Sequence, residues 1–211
     1  LLVSNTGNGT VSEVDTRHWF VKRNLRVGGG PEHMVLSPDN ERVYVNDGAS
    51  GEVAVLGLSR GEVLARYDVG PQPHGVGLST DGQILYATSE GGNQVVRIEL
   101  ASGTRDSMPL APAPYHLAVS PVDGSLLITS RAEARLWVLD PGSLEIIDDV
   151  SLDGIGHQIW GLGSNGTKNQ RKPYQRFSVS SSQAPISTKQ LRMSASWLIS
   201  VSRSCTLLSS S

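Results

Sequence analysis

Four of the five histidines in this 211-residue chain recur at nearly fixed spacing: His33 in GGPEHMVLSPDN, His74 in GPQPHGVGLSTDG, His116 in APAPYHLAVSPVDG and His157 in GHQIWGLG. The steps are 41, 42 and 41 residues, and the first three histidines each follow a proline by one or two residues. Imidazoles set out in this way can bind a transition metal when neutral, serve as axial ligands of haem iron, or attract an anion when protonated. They can equally serve the fold, each hydrogen-bonding a neighbouring strand end and recurring because the unit was duplicated. His18, beside Trp19, lies off the spacing and reads as a surface hairpin residue.

Other chemistry in the sequence is thinner. GLGSNG at 161–166 satisfies the dinucleotide-binding G-x-G-x-x-G pattern, but TKNQRKPYQRF follows it. That stretch is basic, lacks an apolar face and is broken by Pro173, so it does not supply the helix N-terminus that such a motif needs for a pyrophosphate. There is no G-x-S-x-G elbow, no H-E-x-x-H and no phosphate-binding G-x-x-x-x-G-K. Asp39, Asp81 and Asp123 recur in one turn and are expected to shape it. Arg97, Arg131 and Arg135 can contribute to an anion site or stand as solvated surface charges. The NGT triplets at Asn8 and Asn165 are glycosylation acceptors only in a secreted eukaryotic context.

The elements that position the histidines follow the same period. LLVSN at 1–5 matches VYVND at 43–47, LYATS at 85–89 and LLITS at 126–130. VSEV at 11–14 matches VAVL at 53–56, VVRI at 95–98 and LWVL at 136–139, and a closing apolar position recurs as Val27, Val69, Leu110 and Leu152. These runs are short and rich in Val, Leu, Ile and Tyr, so they read as strands, four to a unit. SPDN, STDG and SPVDG supply one set of turns, and TGNGT, GASGE, EGGNQ and RAEAR another. A period near 40 made of four antiparallel strands predicts an all-β fold, a β-propeller. About three complete and two partial blades are expected: a partial blade at 1–30, blades at 31–72, 73–113 and 114–155, and a partial blade at 156–162. The first strand of each blade lines the central channel, which places His33, His74, His116 and His157 at its mouth as candidate ligand-binding residues.

Pro-(x)-His followed by LSPDNERVYVND, LSTDGQILYATS or VSPVDGSLLITS, and then by GEVAVLGLSRGEVLARYDVG, resembles the YVTN-type propellers, relatives of the haem d1 domain of nitrite reductases. The resemblance covers about residues 1–160. It implies a ring of six to eight blades, of which this chain is a fragment, the alternative being a C-terminal strand that completes the N-terminal blade and closes a four-bladed ring. It also implies a non-catalytic module holding a small ligand or protein partner at its channel mouth or blade tops. It also admits an enzyme, either a haem d1-like redox domain or a lactonase. Haem or a transition metal enters as a cofactor by resemblance alone, the residues themselves requiring none; a periplasmic or exported location is likewise implied. A channel of seven or eight blades is expected to hold neighbouring imidazoles too far apart for full convergence on one metal ion, whereas closure of four blades brings them nearer.

Composition bounds the rest. No run of roughly 18 apolar residues occurs, and no basic segment followed by an apolar run opens the chain, so neither a membrane span nor a signal peptide is expected. The single cysteine, Cys205, excludes an internal disulfide and a cysteine-based zinc site within one chain. Residues 1–163 carry all 20 acidic residues against 11 Lys and Arg, a net of 11 − 20 = −9, which disfavours specific nucleic-acid binding. Residues 164–211 carry 7 basic residues, no acid and 14 serines. The segment 163–211 is therefore expected to form an irregular tail, either disordered or foreign to the repeat.

Overall fold

The structure, a computed structural model, describes residues 1–162 and three short strands beyond them. Strands β1 (Leu2–Asn5), β2 (Thr10–Asp15) and β3 (Phe20–Arg26) form an antiparallel sheet of three. Three complete four-stranded meanders follow. They comprise β4 to β7 (Pro31–Leu36, Arg42–Asp47, Glu52–Gly57, Glu62–Asp68), β8 to β11 (Pro73–Leu78, Ile84–Ser89, Gln94–Glu99, Arg105–Pro109) and β12 to β15 (Pro114–Val119, Leu126–Ser130, Arg135–Leu139, Ile146–Ser151). In a fifth sheet β16 (Gly156–Leu162) pairs antiparallel with β17 (Arg176–Ser181). Outside these lie β18 (Gln190–Met193) and β19 (Trp197–Ser200), with β19 parallel to β17, an order that departs from the meander. The rest of the expected tail, including most of GLGSNG, lies outside the described residues.

Burial along each strand shows why these runs form blades. β5 and β6 are buried along almost their whole length, because a sheet between two others needs apolar residues on both faces, whereas the outer strand β7 alternates exposed and half-buried. Four apolar clusters fill the spaces between consecutive sheets. Val11, Leu25 and Val27 meet Val43, Val45 and Leu56, and Tyr44, Val53 and Val55 meet Leu85, Val96 and Ile98. Further on, Tyr86 and Val95 meet Ile128, Trp137 and Leu139, and Leu136 and Val138 meet Leu152 and Ile159. The radial stacking of pleated sheets read from the repeat is thus the observed architecture. Among the described residues no helix is long and apolar enough to cross a membrane.

Two local devices set the inner strands β4, β8, β12 and β16. The first is a bulge: Pro31 pairs with Asp47 and Met34 with Val45, so Glu32 and His33 together face Asn46. The same shift sets His74 and Gly75 against Thr88, and Tyr115 and His116 against Thr129. The second is glycine at β8. A Cβ on Gly75 would lie 2.5 Å from the Leu117 amide nitrogen and 2.7 Å from the Tyr115 carbonyl oxygen, so β8 sits directly on the backbone of β12. Gly75→Ala must therefore force two strands apart, an overpacking cost of about 1–3 kcal/mol. Thermal unfolding should show a fall in Tm of several degrees; an unchanged Tm would mean that the strands are not in this contact.

Candidate functional site

The bulge determines which side chains reach the channel mouth. Counted along their strands, His33 and His116 are third residues, whereas His74 and His157 are second residues. The four histidines thus alternate between two registers instead of repeating one position. The second position holds Glu32, His74, Tyr115 and His157; the third holds His33, Gly75, His116 and Gln158. Because Gly75 has no side chain, His33 reaches past the intervening blade to His116, with ring centroids 5.0 Å apart and the planes at 80°. His33 also meets His74 edge to face at 4.3 Å. Tight packing of β8 on β12, permitted by glycine, draws these three rings together. Their arrangement still does not make a metal centre, since among the described residues no group of three His, Cys, Asp or Glu side chains is placed to hold an ion.

His74 is the centre of the site. Its ring stacks on Tyr115 with centroids 3.6 Å apart and planes at 12°, and its Nδ1 lies 3.0 Å from Glu32 Oε2. An ionised carboxylate only accepts, so Nδ1 carries the proton and donates it, leaving Nε2 as a bare acceptor. That Nε2 is buried and has no hydrogen-bond partner. Burial, reinforced by His33, His116 and His157, pushes the His74 pKa down to about 3. His116 falls to about 4, again through burial first and then through His33 and His157, and its Nδ1 accepts the Ile159 amide at 3.4 Å. His33 is lowered by burial and by His157. The cluster is accordingly neutral at pH 7. His157 stands at its edge, 5.5 Å from the Tyr115 ring centroid.

Beside His74 opens a polar cavity of about 680 Å³, lined by Glu32, Gln72, Glu90, Tyr115 and Arg131 among others. Arg131 pairs with Glu90 at 3.4 Å and sits 4.9 Å over the Tyr115 ring. Of the three arginines considered from the sequence it alone lines this cavity: Arg97 pairs with Asp106, and Arg135 with Glu133 and Asp149. His18 is 74% exposed beside Asp15, on a hairpin away from the mouth. Asp39, Asp81 and Asp123 hold their turns by accepting the amides of Glu41, Gln83 and Ser125.

Reading the sequence by its histidines passes over the groups that fasten the mouth. Thr88 accepts the Gly75 amide at 2.8 Å and donates to the Tyr115 carbonyl of the next sheet, while Asn46 donates to the His74 carbonyl and Ser4 to that of Glu32. Thr129 accepts the His116 amide at 3.3 Å. Asn46, Thr88 and Thr129 stand near the ends of their sheets' second strands and are fully buried, while Ser4 stands on β1, the first strand of its sheet. Aligning the strands on Pro31, Pro73 and Pro114 instead of on histidine would have placed Glu32, His74 and Tyr115 in one column.

Strands, blades and channel mouth together define a β-propeller, and solved structures share that fold. Hydrazine synthase of Kuenenia stuttgartiensis superposes with a TM-score of 0.66 at 24% identity, over 72% of this chain and 45% of that one. Virginiamycin B lyase from Staphylococcus aureus gives 0.63 at 15% identity, over 75% of this chain and 55% of that one. A catalytically inactive histidine-to-alanine variant of the lyase, with quinupristin, gives 0.64 at 15% identity and the same coverage. This chain thus spans about half the length of the structures it matches, and at such identities the likeness is one of fold. No family model and no curated protein sequence matches the chain.

Proposed function

We propose that the chain is a ligand-binding segment of a YVTN-type propeller, non-catalytic, which holds a small polar molecule at the mouth where its inner strands begin. One observation carries the reading: groups from successive blades, Glu32, His74 and Tyr115, meet at a single polar cavity of about 680 Å³, beside a buried imidazole nitrogen that lacks a partner. Concave sites with a few convergent polar groups are where small ligands bind. The YVTN assignment is supported by the polar residue that recurs near the end of the second strands, as in VYVND, LYATS and LLITS. A protein partner at the blade tops would use the same rim.

Calorimetric titration with 1,4-diaminobutane, glucose and succinate tests the reading with three charge types. Binding of at least one is expected, weakened at least tenfold by Tyr115→Ala, which removes the face on which His74 stacks. Failure of all three to bind contradicts it.

One observation favours an enzyme instead. A carboxylate that fixes the tautomer of a histidine and leaves the far nitrogen bare is the arrangement of a general base, and Glu32 and His74 form such a pair. The structural neighbours include a lyase and a synthase. Release of acid from a sugar lactone, or a haem-coloured complete protein, would replace the binding reading with the lactonase or redox one.

A further inference from the structure

The charges around the cavity say which polar molecule it selects. Its lining carries two carboxylates, Glu32 and Glu90, against one cation, Arg131. That cation is already engaged, 3.4 Å from Glu90 and over the Tyr115 ring, and its side chain is 58% exposed. Glu32 is bonded through Oε2 to His74, while its Oε1 faces Gly48, where an added Cβ would lie 3.5 Å away. Burial and the charge of Glu90 both raise the pKa of Glu32, so the site gains from an added positive charge. Two further groups line the cavity: Gln72, whose amide oxygen accepts and whose nitrogen donates, and the Tyr115 ring, which favours a cation.

We infer that the ligand is a small organic amine, its ammonium group held between Glu32 and Glu90 against the Tyr115 ring, in the place that Arg131 partly fills. This rests on the reading of the mouth as a small-molecule site. An ammonium group needs only hydrogen-bond acceptors and negative charge. A metal ion needs a convergent ligand set, which no three His, Cys, Asp or Glu side chains provide among the described residues.

The three-probe calorimetric titration is repeated with two variants whose effects run in opposite directions. For the wild type, 1,4-diaminobutane is expected to bind at least tenfold more tightly than glucose or succinate. Glu90→Gln should weaken the diamine about tenfold or more, the loss of one charge-assisted hydrogen bond. Arg131→Gln should strengthen it about three- to fivefold by removing an exposed competing cation; a misfolded variant cannot produce that gain. Binding of glucose or succinate in preference to the diamine, or weaker diamine binding by Arg131→Gln, would overturn the inference while leaving a small-molecule site in place. Failure of every probe would overturn both.

Discussion

Thr88→Val should be among the most damaging conservative changes in the molecule, lowering stability by about 2–6 kcal/mol. The substitution keeps the shape of the side chain, so no cavity forms. It removes the hydroxyl that accepts the Gly75 amide and donates to the Tyr115 carbonyl, at a residue with no solvent exposure. Both backbone groups then stand buried without partners, at about 1–3 kcal/mol each. A domain is stable by only about 5–15 kcal/mol, so the loss is a large fraction of the whole. Thr88→Ser keeps the hydroxyl and should recover most of the stability. Thr104→Val, in the exposed turn between β10 and β11, should change it by no more than about 0.5 kcal/mol. Chemical denaturation measures all three, and hydrogen exchange should show the Gly75 amide losing protection in Thr88→Val. Equal stability of the Val and Ser variants would show that the hydroxyl does not join the two sheets.

Acid should weaken the fold well above the range in which carboxylates titrate. His74 and His116 have folded-state pKa values of about 3 and about 4, below the ordinary value of 6.5. Between these limits the unfolded chain binds the protons that the folded chain refuses, so stability is full above pH 6.5 and falls as the pH drops toward 4. Each histidine contributes about 1.4 kcal/mol per pH unit, which makes the loss on the order of 5 kcal/mol at about pH 4.5. The groups facing these rings are His33, His157, Glu32, Tyr115 and Arg131. The raised pKa of Glu32 acts in the opposite direction, and only when the pH nears the carboxylate range. The lowered carboxylates Asp39, Asp47 and Asp81 add their own loss below about pH 4. A steady fall in Tm from pH 6.5 to 4.5 is expected, flattened in a His74→Gln, His116→Gln double variant. A wild-type Tm constant over that range would mean that the imidazoles are solvated.

Sequence alone reveals the blades because each repeat states its structure several times over, in apolar runs, Gly- and Asp-containing turns and a fixed period. Neighbouring sheets cannot bury their faces unless that register is kept. The site is less legible. Histidine spacing marks the right strands but suggests one shared position, because steps of 41 and 42 residues do not show that the histidine moves between the third and the second place of its strand. In the register that the three bulged strands share, Glu32 lies level with His74 and His33 lies level with His116. The partnership of His33 with His116 depends on what is missing at Gly75, and a missing side chain carries no motif. Asn46, Thr88 and Thr129 read as ordinary strand residues, since their partners are backbone groups, which every sequence supplies alike.

The mouth is built on His33 and His116 meeting across the glycine of the blade between them. Nuclear Overhauser contacts between ring protons of assigned histidines test this directly. Cross-peaks from His33 to both His74 and His116 are predicted at pH 7, lost from His116 when Gly75→Val pushes the strands apart. Rings of His33 and His116 that show no mutual contact in the folded wild-type protein would contradict it.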